Sequence, residues 1–346
     1  GWDILPTIGH TFAPMIPGRT VVIVTQATIP VDYAQTVMAS CDAAGFRCHH
    51  LTVPDGESAK SLSQVSVMLD QLLAWRLDRY DALIALGGGV VGDLTGFVAA
   101  IYLRGIRVIQ VPTTVLSQVD AAIGGKTGVN HPHGKNLIGA FHQPTLVYAA
   151  VKSLVSLPAR QVRSGLAEVV KYGIIKDPSL IQSITSALPD LKTAQVTEAN
   201  YPIFYDIIRR SADHKCDVVS QDEREAQYRM ILNFGHTIGH AIEAYGGYKT
   251  YSHGEAIAIG MILETKLAIQ LGHCDTPVYD TLYDVLTALG LPTECPLDPV
   301  ALMTSMRLDK KNKQAQIRFV LPTKIGETTI VTVPDAVITD FLLHAD

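Results

Sequence analysis

"DALIALGGGVVGD", residues 81–93, decides the fold. A run of small and aliphatic residues, too short for a helix and ending in glycines, reads as a fully buried strand. The residues after it read as the first turn of a helix. Gly87, Gly89 and Gly92 satisfy the G-x-G-x-x-G spacing, which lets backbone N–H groups at a helix N-terminus approach a pyrophosphate with no Cβ in the way. A plain structural turn also explains such a loop. The usual dinucleotide pattern adds an acidic residue about 20 positions on, for a ribose hydroxyl. Here that region is "RVIQVPTT", so a carboxylate has to come from elsewhere. "PDGESAK" (54–60) offers Asp55, Glu57 and Lys60 just after another candidate strand, and its alternative reading is an ordinary turn. A dinucleotide cofactor therefore fits, in a mode that departs from the standard fingerprint.

Working outward, "TVVIVTQ" (20–26), "RCHHLTV" (47–53), "RVIQVPTT" (107–114) and "PTLVYAA" (144–150) are short β-branched runs separated by helical stretches. That alternation predicts parallel strands with crossover helices. Beyond Leu157-Pro158 helical periodicity takes over, as in "ARQVRSGLAEVVKYGII" and "HGEAIAIGMILETKLAIQLG", with breaks at Pro189, Pro202 and Gly246-Gly247. A late stretch, 315–333, reads as a β-hairpin whose turn is marked by Pro322 and Gly326. The expected architecture is α/β: a Rossmann-like parallel-sheet domain over 1–157 followed by a mostly α-helical domain over 158–346, with a cleft between them as the expected site.

At 346 residues, 47% hydrophobic and 18% charged, the chain falls in the globular range. A net charge of −5 argues against a general nucleic-acid binder. The five cysteines are scattered with no Cys-x-x-Cys pair, which speaks against a disulfide framework or zinc ribbon and for a cytoplasmic protein. No apolar run approaches the roughly 18 residues of a membrane span, and no signal pattern precedes the first strand.

"NFGHTIGHAIE" (233–243) carries two histidines four residues apart. If a helix starts near Phe234, Asn233, His236 and His240 fall within an arc of about 60°. Thr237 stands where a zincin would place its glutamate, so protease chemistry is unsupported. Catalytic zinc commonly takes three protein ligands. His253, heading the next helical run, and Glu168, in the apolar "SGLAEVVKYG" with Lys171 three residues on, complete a candidate set. Whether His240 is a fourth ligand or an acid/base group, spacing leaves open. For the remaining histidines a capping or surface role is the ordinary reading. Lys126, Lys135 and Asn136 lie among glycines, and Lys215, Arg229 and the pair Lys310-Lys311 follow. A solvated lysine or a surface ion pair is the usual explanation of each. Gathered in an acidic chain, they point to an anionic ligand.

"GGGVVGDLTGFVAA", "VPTTVLSQVDAAIGGKTGVN", "GKNLIGAF", "GLAEVVKYG", "LNFGHTIGHAIE", "SHGEAIAIGM" and "LDKK", in this order, resemble the 3-dehydroquinate synthase family of sugar-phosphate cyclases. The likeness runs from about residue 20 onward. It implies NAD and a zinc or cobalt ion as cofactors, with Glu168, His236 and His253 as metal ligands. Asp55, Glu57, Lys60, Gly89, Val90, Val91, Gly92, Asp93, Thr113, Thr114 and Lys135 would line the NAD site. Asp120, Lys126, Asn136, Lys171, Lys215, Arg229, Asn233, His240 and Lys310 would meet substrate, with Arg104 reaching across a homodimer interface; Lys311 is the alternative to Lys310. The implied substrate is a small sugar phosphate, with no nucleic-acid or membrane partner. The implied reaction is transient oxidation by NAD, phosphate elimination, re-reduction and aldol closure, with no net redox change. Cyclases making deoxy-inosose or valiolone products are expected to differ around "AIGGK" or "LNFGH", and both stand here in the dehydroquinate form. Glycerol dehydrogenase-like enzymes, and a non-catalytic NAD-binding protein, are the rival readings. One departure from the family pattern is expected at the N-terminus, which lacks an opening strand or two.

Overall fold

The computed structural model describes residues 1–296, 298–310 and 316–344, without the side chains of 308–310. The chain divides into two compact units, one of Gly1–Leu157 with Val196–Ile208, the other of Pro158–Gln195 with Arg209–Asp346. The split after Leu157 lies where the texture of the sequence changes. The expected second domain also included 196–208, however, and these residues belong to the first unit, where the Tyr201 ring meets Trp2 at 5.0 Å between centroids.

The first unit is built on strands β1 (Thr20–Gln26), β2 (Arg47–Val53), β3 (Ala82–Gly87), β4 (Arg107–Pro112) and the two-residue β7 (Leu146–Val147). All pair in parallel, in the order β2-β1-β3-β4-β7. Helices α1 (Ile8–Phe12), α2 (Val31–Ala43), α3 (Leu62–Ala74) and α4 (Gly89–Ile101) cover the sheet. Side-chain alternation sorts its two faces. Val22, Val24, Leu83 and Ala85 pack with Met68, Leu72, Leu94 and Val98 of α3 and α4. Val21, Ile23, Ala82, Ile84 and Leu86 pack with Ile8, Phe12, Val37 and Cys41 of α1 and α2. Burial on both faces explains why β3 is apolar throughout and shows no polar alternation.

A second structure in this unit was not expected. The glycine-rich 126–141 stretch, to which no strand was assigned from the sequence, forms an antiparallel pair, β5 (Lys126–His131) and β6 (Gly134–Phe141). Its glycines allow close packing: a Cβ on Gly128 would lie 2.7 Å from Ile138 O, and one on Gly139 2.1 Å from Thr127 O.

The second unit holds helices α5 (Ala159–Ile175), α6 (Pro178–Ser186), α7 (Leu188–Leu191), the later part of α8 (Tyr201–Gln221), α9 (His236–Tyr245), α10 (His253–Gln270), α11 (Thr276–Ala288), α12 (Pro299–Lys310) and α13 (Asp335–Leu343). Strands β8 (Gln316–Lys324) and β9 (Glu327–Pro334) form the late hairpin. Gly326 turns it with φ +91°, whereas Pro322 lies inside β8 beside a register shift, the kind of site where a strand tolerates a missing N–H. Pro189 and Pro202 open α7 and α8 instead of ending helices, since a first turn has no use for the N–H that proline lacks. Among the described residues no helix is long and apolar enough to cross a membrane.

Candidate active site

In the first unit the glycine loop is minimal: β3 ends at Gly87 and α4 begins at Gly89. Thr113 N donates to Gly87 O at 3.0 Å, tying the ends of β3 and β4 together. Thr114 and Ser117 exchange hydroxyl and amide hydrogen bonds at the next turn, which leads into a π turn holding the half-buried Asp120. The glycines differ in purpose. A Cβ on Gly92 would come 2.8 Å from Gln110 Oε1, so this glycine lets α4 pack on β4, while a Cβ on Gly89 would meet nothing nearer than Ala121 at 3.6 Å. Open space there leaves the helix N-terminus approachable by an anion. Val90 and Asp93 share this first turn, and Val91 is buried in the core below it.

Lys60 anchors the polar rim. Its side chain is buried, pairs with Asp93 at 2.7 Å and Glu57 at 3.6 Å, and donates to Asn136 Oδ1 at 2.5 Å. Asn136, at φ +53° on β6, is itself held by Asn130, whose amide reaches Glu57 at 2.8 Å. Asp55 accepts from Thr28 N and Oγ1. Thus Glu57, Lys60, Asp93 and Asn136 form one network, although Asn136 is implied as a substrate contact and the other three as NAD contacts. Lys126 is exposed at the start of β5, and Lys135 lies half-buried on β6. Arg104, exposed, follows Leu103 and precedes Gly105, all three at positive φ, beside a depression of about 450 Å³ shared with Arg79, Arg107 and His142.

In the second unit Glu168, on α5, is fully buried. Lys171, one turn on, ion-pairs with its Oε2, and His236 Nε2 and His253 Nε2 stand 3.4 and 3.3 Å from its Oε1. Both carboxylate oxygens are shut off from solvent, Oε2 against the Lys171 ammonium and Oε1 against the two rings. Ligand atoms of Glu168, His236 and His253 all lie within 4.8 Å of one another. Both rings are held from behind: His236 Nδ1 is 3.0 Å from Phe234 O, and His253 Nδ1 is 3.1 Å from Glu243 Oε2. With Nδ1–H donating, the His236 Nε2 lone pair turns toward the carboxylate; His253 donates Nδ1–H to Glu243 and carries a second proton on Nε2, which a bound cation would displace. Burial pushes the Glu168 carboxyl up, but Lys171 and then His236 hold it well below the ordinary range. Burial takes His236 down to about 4, so it is neutral at pH 7. For His253 burial also acts downward, and hydrogen bonds to Glu168 and Glu243 win, raising it to about 10.

His240 sits close by, its ring centroid 5.3 Å from that of His236 and 6.1 Å from that of His253. Asn233 does not share the histidine helix as expected. Gly235, in the left-handed conformation at φ +79°, separates α9 from a 3₁₀ turn that carries Asn233 and the buried Arg229. Asn233 Nδ2 donates to Glu225 Oε1 at 2.9 Å, and Arg229 Nη1 to Glu223 O at 2.5 Å. Lys215 is buried on α8. The Lys310 side chain and all of Lys311 lie outside the described residues.

Two carboxylates escaped the reading of the sequence. Glu243 backs His253, and the fully buried Glu264 of α10 accepts from Gly235 N at 2.7 Å and Ile238 N at 3.1 Å, capping α9. Glu243 carries a weak sequence signal, three residues after His240 and seven after His236 on one face; Glu264 carries none.

A parallel-sheet unit with an open glycine loop, and a helical unit with a carboxylate-diimidazole cluster, define the class. The fold is similar to that of a 2-deoxy-scyllo-inosose synthase complexed with carbaglucose-6-phosphate, NAD+ and Co2+ (TM-score 0.87, 27% identity, 99% of this chain and 94% of the other). It is equally similar to a 2-epi-5-epi-valiolone synthase from Streptomyces hygroscopicus subsp. jinggangensis with NAD+ and Zn2+ bound (TM-score 0.88, 27% identity, the same coverage). Within that class, residues 50–164 match the family model of the 3-dehydroquinate synthase N-terminal region and 165–312 that of its C-terminal region. A 3-dehydroquinate synthase of Nostoc punctiforme is 45% identical over 340 residues, 98% of this chain and 92% of the relative. The chain belongs to the 3-dehydroquinate synthase family.

Proposed function

We propose that the chain converts 3-deoxy-D-arabino-heptulosonate 7-phosphate into 3-dehydroquinate and inorganic phosphate, a step of the shikimate route to aromatic amino acids. The observation that carries this is the convergence of Glu168, His236 and His253 in a chain both of whose halves match the family.

The residues fit a divalent cation. A buried carboxylate, kept ionised by Lys171, presents Oε1 to two imidazole Nε2 atoms whose rings are held from behind, a zinc- or cobalt-compatible N/O donor set. They also fit NAD, since Gly89 leaves the α4 N-terminus open beside Lys60, Asp93 and Thr114, with Asp55, Glu57, Gly92, Thr113 and Lys135 as further contacts. When bound, NAD supplies a temporary hydride acceptor for C5 of the sugar, and the cation a Lewis acid that acidifies its hydroxyl.

The chain's own residues bind, orient and move protons. Lys126, Asn136, Lys215 and Arg229 are assigned to the phosphate, a dianion that needs several fixed donors as it leaves. Arg229 suits this because its buried guanidinium is positioned by Glu223 O. The departing phosphate itself takes the proton lost from C6, and His240 assists that step. Lys171 holds Glu168 ionised and offers its ammonium to a substrate hydroxyl, while Asp120, Asn233 and Lys310 orient the sugar. The chain works in the cytoplasm as a homodimer, with Arg104 on a strained, exposed turn reaching the partner.

Phosphate release from the heptulosonate, measured with and without a chelator, tests the reading. Chelator-sensitive release with no accumulation of NADH supports it. NADH accumulating with glycerol, or no release at all, overturns it. Glu168→Ala retaining full release in metal-free buffer would remove the ligand assignment.

A further inference from the structure

We infer that Glu243 is a positioning residue that orients His253 for the cation, an inference that rests on the ligand reading above. His253 is the first residue of α10, and its backbone is already fixed. Ser252 and Glu255 form a capping box around it, and Gly254 N donates to Ser164 Oγ at 3.0 Å, on the same helix as Glu168. What a cap cannot set is ring rotation about Cβ–Cγ, because flipping the imidazole swaps Nδ1 with Cδ2 and Nε2 with Cε1 at little steric cost, turning carbon toward Glu168. Glu243 Oε2, 3.1 Å from His253 Nδ1, sets it. The carboxylate is 7% exposed, so little water competes for the hydrogen bond. An anionic acceptor on Nδ1–H fixes the tautomer, aims Nε2 at Glu168 and raises its donor strength.

For His236 the equivalent acceptor is a main-chain carbonyl, Phe234 O, which no substitution can remove. Glu243 is therefore the orienting group that mutagenesis can reach. His240, Glu243 and His253 also place ligand atoms within 4.8 Å of one another. We assign Glu243 to orientation and not to ligation, because it takes Nδ1 of a ring whose Nε2 faces Glu168, and ligation would make one imidazole bridge two cations.

The test uses the full-length protein stripped of metal, with zinc as the probe in a chelator competition. Glu243→Ala should weaken zinc binding ~10–100-fold, with Glu243→Gln, which keeps an acceptor oxygen, falling in between. Cobalt-loaded Glu243→Gln should show an altered ligand-field absorption spectrum, and zinc should raise its melting temperature by less than it raises that of the wild type. A merely structural role would move the metal-free melting temperature and leave the spectrum alone. If the alanine variant does not fold, the glutamine variant's affinity and spectrum decide. Zinc affinity in both variants within about twofold of wild type, while His253→Ala loses it, overturns the role of Glu243 alone. If His253→Ala also binds normally, the ligand assignment fails, and the role of Glu243 fails with it.

Discussion

Replacing Gly260 by alanine should loosen the cation cluster without touching a ligand. Gly260 lies where α10 crosses α9, and an added Cβ would sit 2.0 Å from Gly235 O and 2.8 Å from Gly239 N. Both are backbone atoms, so no rotamer change relieves the clash. The shorter distance is about 1.4 Å below the 3.4 Å at which ordinary contact begins, and the helices must separate by roughly that much. Overpacking of this size costs ~3 kcal/mol, against which alanine's higher helix propensity returns ~1. A net loss of ~2 kcal/mol lowers the melting temperature of a unit this size by ~4–8 °C. His236 follows Gly235 directly, and His253 lies two turns before Gly260 on nearly the same face of α10, so separation spreads the two imidazoles. Zinc affinity should fall at least ~10-fold, since ligand geometry tolerates far less than an ångström of error. Thermal melts and chelator competition measure the two effects. Gly247→Ala is the control: at φ +61° with nothing within 4 Å, it should cost ~1 kcal/mol and leave zinc binding unchanged. Wild-type values of both quantities in Gly260→Ala would refute the close crossing. A lower melting temperature with unchanged affinity would refute its coupling to the ligands.

Three further outcomes follow from the same geometry. Gly89→Ala has room in the fold and should melt at or above the wild-type temperature, yet bind NAD at least ~10-fold more weakly, because its Cβ occupies the approach to the helix N-terminus; unchanged NAD titration would place the dinucleotide elsewhere. Glu264→Gln is isosteric but can accept from only one of the Gly235 and Ile238 amides, so urea unfolding should show a loss of ~1–3 kcal/mol, and no loss would mean the cap contributes nothing. Asp177 is buried enough to be pushed up, but hydrogen bonds from Ser179, His214 and Arg210 prevail and hold it well below its ordinary value. Its stabilisation is therefore complete above the unfolded pKa of about 3.9 and is lost as pH falls through the lower folded value. Asp177→Asn should flatten the acid limb of the stability curve, and an identical limb would exclude Asp177 as its cause.

Local chemistry made much of this protein legible in the sequence. β1 and β2 coincide with their β-branched runs, because strand sterics act over neighbouring residues. The glycine loop showed itself for a similar reason, as only glycine suits that approach. The pairing of Glu168 with Lys171 and the shared face of His236 and His240 followed from helical periodicity alone. Periodicity could not show that Gly235, left-handed against Met261 and Ile257, cuts Asn233 off from that helix, or that the glycines of 126–141 serve a hairpin. Nor could it separate Glu243 and Glu264 from the many glutamates that decorate exposed helix faces, since their burial arises only where α9 crosses α10. The residue types that can hold a cation were set by the sequence; which of them converge was decided by helix crossings between segments far apart in the chain, where packing and not local backbone preference fixes the distances.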